Sequence, residues 1–187
     1  PGGAWTLVPP ECLSPKFSSS VAVVSVPLPP DDASVGYERG ASVSREWTEA
    51  VAKGALQVSG LIGPHLFTLA GTKAEAPDCR EKLKAFAWRF AQLAYRRPLT
   101  AEQQADLARI FAEGVPPEAA AKRAFIFTLS NPHFLYPGLG PQDDHAVAAR
   151  LALALWDSVP DAALLQAAAR GELKTEAQGR AQAQRMM

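Results

Sequence analysis

The sequence predicts an all-α fold, a multi-helix bundle preceded by an extended, proline-rich N-terminal arm. Three observations carry that prediction. Capping residues recur just ahead of apolar residues spaced three or four apart, as at Thr100 and at Asp143 or Asp144. Glycine and proline then close the same stretches, as at Gly114 with Pro116 and Pro117, and at Asn131 with Pro132. The clearest β-branched run, Val21 to Val26, is fenced by prolines on both sides, so it offers at most one strand.

The elements follow in order. Residues 1–40 hold nearly half of the prolines, with Trp5, Phe17 and the valines too apolar for a solvated tail. This arm is therefore expected to be extended and to pack on something, a neighbouring chain included. Residues 41–77 hold a first helix and a linker. Ser44 reads as an N-cap before Trp47, Val51, Ala55 and Val58 on one stripe, ended by Gly60 and by Gly63 with Pro64. Asp78 reads as the cap of a helix over Cys79 to Arg97, with Leu83, Phe86, Phe90 and Leu93 on one face and Trp88 and Tyr95 on another. Thr100 opens the next helix, and Gln103 three residues on completes a capping box, with Leu107, Ile110 and Phe111 inward.

A further helix is expected over Glu118 to Ser130, burying Ala121, Ala124, Phe125, Thr128 and Leu129, with a short connection from His133 to Gln142 after it. Ala146 to Trp156 reads as an almost wholly apolar helix whose one strong charge is Arg150. Val159, Pro160 and Asp161 turn the chain into a helix over Ala162 to Arg170, with Gly171 just past its end, and a last helix runs from Thr175 toward Met187.

Composition excludes several classes. With 48% hydrophobic and 20% charged residues the chain can build a real core, and its nineteen basic and nineteen acidic residues leave no net field to draw nucleic acid. Nucleic acid is not an expected partner. The longest apolar runs fall far short of the roughly 20 residues that cross a bilayer, so membrane contact is peripheral at most. The start at Pro1 and the end at Met187 both look arbitrary, which leads us to expect a removed leader and a truncated last domain.

Cys12 and Cys79 have no metal-site or haem-attachment spacing, so each is read as a buried thiol or as half of a disulfide. In an oxidising compartment a Cys12–Cys79 bridge would stabilise by roughly 4 kcal/mol. His65, His133 and His145 form no ligand motif, and Met186 and Met187 read as packing residues. Asp31 with Asp32, and Asp143 with Asp144, lack the alternating ligands of a calcium loop. No phosphate loop, nucleophile elbow or catalytic carboxylate spacing is present, so no catalytic, metal or cofactor residue is assigned.

The run Ala94-Tyr95-Arg96-Arg97-Pro98-Leu99-Thr100 admits two readings. In the structural one, Arg96 and Arg97 sit in a last helical turn, where cations offset the carbonyl end, Pro98 stops the helix and Thr100 starts the next. In the functional one, the paired guanidiniums contact an anion or a partner's carboxylate. Arg150 needs a partner on so apolar a helix, and Asp157, Asp161 or a buried carbonyl is expected, fixing the corner after Trp156.

Three motifs stand in sequence: Phe90 to Thr100; Leu129 to Tyr136; and Ala149 to Asp161, continuing through Leu164-Leu165, Ala168 to Leu173 and Gln184 to Met186. They resemble consecutive domains of the planctomycete-type, cytochrome c-associated multidomain proteins, also common in myxobacteria. By that resemblance, 78–138 is one helical domain and 143–187 the start of a second. Pro98, Thr100, Arg150, Trp156, Pro160 and Asp161 are then fold determinants. Ala152 stands where the family usually has Ser, and Pro137 where it often has Arg.

The resemblance implies an exported protein, periplasmic or on the cell surface, whose helical domains accompany a c-type haem domain or carbohydrate-binding modules. Haem c then has a possible place on a partner or a missing domain; His133 could ligate a haem from another chain and Met186 or Met187 supply an axial sulfur, but they are read first as turn or cap and packing residues. We expect a noncatalytic extracytoplasmic subunit that scaffolds or docks a redox or membrane-associated complex, its partners being protein subunits of a larger assembly. The alternative is a fragment of a larger periplasmic cytochrome or surface enzyme whose haem or catalytic residues lie elsewhere. A carbohydrate-binding surface would have to draw on Trp5, Phe17 and Tyr37.

Overall fold

The computed structural model describes residues 25–27 and 45–187, and there the fold is all-α, with no strand among the described residues. The helices are α1 (Arg45–Ile62), α2 (Leu66–Leu69), α3 (Cys79–Tyr95), α4 (Ala101–Ile110), α5 (Pro117–Leu129), α6 (Pro132–Leu135), α7 (Asp144–Trp156), α8 (Ala162–Ala169) and α9 (Glu176–Met186). Two of them, α2 and α6, are single turns.

Helix α1 passes straight through Gly60, where the sequence suggested a stop. A mid-helix glycine costs only about 1 kcal/mol relative to alanine, and the buried Val58 and Ser59 beside it hold the turn in place. The break comes instead at Gly63–His65, a 3-10 turn with Pro64 near its start, which redirects the chain so that Leu66 enters the core with no exposure. Likewise the stretch after Asn131 is not all connection. The Asn131 side chain accepts a hydrogen bond from the His133 amide and caps α6.

Two hydrophobic cores form. The larger lies among α1 to α5, where α5 packs against both α3 and α1. Phe125 at its centre meets Phe90 edge-on at 4.8 Å and Phe86 at 5.7 Å. Alanines on the facing sides, Ala87, Ala91 and Ala94 of α3 with Ala120, Ala121 and Ala124 of α5, are all buried and let the two backbones approach closely. The smaller core belongs to α7, α8 and α9 and consists of Ala148, Ala152, Leu164, Ala167, Ala168, Leu173 and Met186.

Of the N-terminal arm, Ser25–Pro27 is described, and it has no regular secondary structure. Its Ser25 amide donates to Gln57 Oε1 at 3.1 Å, and Gln57 Nε2 donates back to Ser25 Oγ at 2.9 Å, so this part of the arm is tied to α1 of its own chain. The expectations placed on Trp5, Cys12, Phe17, Asp31, Asp32, Tyr37 and Ser44 lie outside the described residues.

Candidate functional site

The corner between α3 and α4 is built from the arginine pair. Helix α3 ends at Tyr95, not at Arg97, which corrects the last-turn placement of both arginines. Arg96 takes the left-handed conformation (φ 60°, ψ 24°). Its amide donates to the Leu93 carbonyl at 3.1 Å and the Arg97 amide to that of Gln92 at 3.2 Å. This paired bonding is the helix ending that ordinarily has glycine at the left-handed position. Gly171, after α8, occupies the same position with the same two bonds, at φ 72°.

Arg96 is buried, at 8% exposure, and no ion pair compensates its charge among the described residues. Its Nη1 and Nη2 reach the Phe134 carbonyl at 3.3 and 3.4 Å, its guanidinium sits 5.8 Å from the Phe134 ring centroid, and its Nε has no partner. Burial lowers its pKa from the usual value. A guanidinium satisfied by a carbonyl at the end of α6 fastens that turn to the α3–α4 corner. Beside it, Tyr95 contacts the His133 ring at 5.8 Å. The Tyr95 hydroxyl lies close to Thr128 but outside hydrogen-bond geometry, and neither hydroxyl has another partner. Burial pushes the Tyr95 hydroxyl up to about 12, against a smaller opposing effect of Thr128 and with a small addition from the Asp106 charge.

Arg97 turns the other way. Its Nη2 donates to Asp143 Oδ1 at 2.9 Å and to the Pro141 carbonyl at 3.2 Å. The two guanidiniums therefore do not converge on one anion. Arg97 does hold a carboxylate, that of Asp143, which also caps α7 by accepting from the Ala146 amide. After Pro98, Thr100 and Gln103 form the expected capping box of α4 at 3.2 and 3.0 Å. Asp78, by contrast, is no cap. Its backbone (φ −93°, ψ 7°) cannot fold the carboxylate back, which instead pairs with Lys82 at 2.9 Å.

The second motif corner lies between α7 and α8. Arg150 is exposed and donates to Gln142 Oε1 at 2.7 Å, so its pairing with Asp157, Asp161 or a buried carbonyl is not made. Its place on the helix explains this, since it points away from the α7–α9 core. Asp157 ends α7 in the left-handed region (φ 49°). Trp156, 39% exposed, donates from Nε1 to the Met186 carbonyl at 2.9 Å. Pro160 is wholly buried. Asp161 caps α8 through the Leu164 amide at 2.8 Å and receives both Arg185 terminal nitrogens at 2.8 and 3.1 Å. Burial pushes the Asp161 carboxyl up, but these hydrogen bonds and the Arg185 charge outweigh it and hold the carboxyl below its ordinary range.

Sequence reasoning missed Arg80, whose Nη1 donates to the carbonyls of Phe111 and Ala112 and whose Nη2 donates to that of Val115. It ties the start of α3 to the end of α4 as Arg96 ties α6. No pattern marks such a residue, because its partners are backbone atoms more than thirty positions away. Cys79 is buried with a free thiol, and Cys12, the other half of the expected bridge, lies outside the described residues. No three His, Cys, Asp or Glu side chains gather to hold a metal ion among the described residues, and no described helix is long and apolar enough to cross a membrane. A shallow, open groove of about 450 Å³ runs between α7 and α9, lined in part by Val147, Leu151, Leu173 and Arg180.

What fold and corners define is a helical module whose motif side chains join its own elements. Residues 82–137 match the family described as PSD5, protein of unknown function (DUF1595), and residues 143–187 match PSD4, protein of unknown function (DUF1592). The two matches together span more than half of the chain, and both are domains of the planctomycete cytochrome c-associated family. No curated protein and no solved structure matches it.

Proposed function

We propose that this chain is a noncatalytic, extracytoplasmic helical module that scaffolds or docks a redox or membrane-associated complex, with haem c carried by a partner or by another domain. One observation carries the reading: the polar residues of its motifs bond within the chain at helix ends. Arg96 holds Phe134, Arg97 holds Asp143, Thr100 caps α4, and Asp161 caps α8 while binding Arg185. Polar groups committed in this way set the angles between helices, which is the work of a frame. The outward contribution is apolar. Leu155, Trp156 and Met187 are exposed at the ends of α7 and α9, where apolar side chains are available to a protein partner.

The test is fractionation of the native host carrying a tagged copy, followed by a native gel stained for covalent haem. The reading expects the tag in the periplasmic or surface fraction, comigrating with a haem-stained band, and expects Leu155→Ser to abolish comigration while leaving the helical far-UV signal unchanged. A tag confined to the cytoplasm, or one migrating without haem, overturns it.

A further inference from the structure

We propose that the connection between the two helical units is a fixed strut, locked from one side by Arg97 and from the other by Arg150, so that α1–α6 and α7–α9 keep one relative orientation. This rests on the hydrogen bonds of the connection and is independent of the scaffold reading. Residues 138–143, Gly-Leu-Gly-Pro-Gln-Asp, hold no helix or strand, and a glycine-rich connection of this kind is ordinarily a swivel. Here it is gripped twice.

From the α3–α4 corner, Arg97 lays its guanidinium along the connection. Nη2 donates to the Pro141 carbonyl and to Asp143 Oδ1, and only 16% of the arginine side chain is exposed. Gly140 lies beneath at φ 112°, a conformation that residues with a side chain rarely adopt, and a Cβ placed there would meet Arg97 Nη1 in ordinary contact at 3.6 Å. The bend that brings the connection under the guanidinium therefore favours glycine at 140, on conformation and not on space. From α7, Arg150 Nη1 holds Gln142 Oε1 at 2.7 Å, while Gln142 Nε2 donates back to the Gly138 carbonyl at 3.3 Å and closes the connection on itself. Asp143 joins the Arg97 grip to α7, because the oxygen that accepts from Arg97 also caps that helix. Rotating one unit against the other would have to break the Arg97 pair and disturb that cap together.

The strut is tested by native-state cleavage of the full chain with thermolysin at the Gly138–Leu139 bond, where Leu139 is 48% exposed. Arg97→Ala and Arg150→Ala should each raise the cleavage rate about fivefold, equivalent to about 1 kcal/mol of lost closure, with no added dependence on urea. Asp143→Asn keeps a capping oxygen but discards the charge, and it should show the same rise even if Arg97→Ala fails to fold. An unchanged rate in Arg150→Ala and in Asp143→Asn overturns the proposal. So does an equal rise at bonds within α3, which would report general loosening of the fold.

Discussion

At the scale of the residue, Arg96 poses the sharpest contrast, because it stands where Gly171 stands in the same helix ending. A side chain in the left-handed region costs roughly 1 kcal/mol, and the charged guanidinium's hold on Phe134, contributing about 2 kcal/mol, more than offsets that cost. Two substitutions separate the terms. Arg96→Gly removes the clamp and the strain together and should lower unfolding stability by about 1 kcal/mol, whereas Arg96→Ala keeps the strain and should fall about 1 kcal/mol further. Chemical denaturation of the three proteins gives the order directly. If alanine matched glycine, the left-handed corner would be wrong, and if glycine exceeded the native protein, burial of the charge would outweigh its bonds. Gly171 was legible as a helix end because glycine advertises that conformation. Arg96 was not, since an arginine beside a proline reads equally well as a last-turn cation.

At the scale of the element, the helix starts show what a capping residue needs besides its identity. Thr100 and Asp78 look alike in sequence, each a short polar residue ahead of an apolar stripe. In the structure Thr100 is extended (φ −68°, ψ 162°) and its side chain accepts from the Gln103 amide, while Asp78 is not extended and pairs outward with Lys82. Thr100→Ala should cost about 1 kcal/mol, whereas Asp78→Ala forfeits only an exposed pair and should stay within about 0.5 kcal/mol. Thermal melts of the two variants side by side decide it, and equal losses would mean that the cap geometry at Thr100 contributes nothing. The starts of α4, α7 and α9 were legible because spacing alone specifies a cap there. The single turn α6 was not, because four residues carry no periodicity, and Asn131 with Pro132 reads as an ending when it is also a beginning.

At the scale of the whole molecule, the two cores differ in kind. By family resemblance, the sequence led us to expect one helical domain over 78–138 and the start of a second over 143–187. It could not show how unequal the units are, because burial depends on which alanines face one another. Around Phe125 the larger core buries Leu66, Leu83 and Leu107 completely, each large enough that its removal from water contributes about 1.5–3 kcal/mol. Of the seven residues that form the α7–α9 core four are alanine, and Leu164 is the large side chain buried there without exposure. So small a core cannot absorb a cavity. Leu164→Ala, costing about 2–4 kcal/mol, should therefore unfold α7–α9 locally while the larger core persists. Hydrogen exchange reads this unit by unit: amides of α7, α8 and α9 should lose protection in the variant and those of α3 and α5 should keep it. Equal loss throughout would mean that the strut transmits stability as well as orientation, and that the two cores open together.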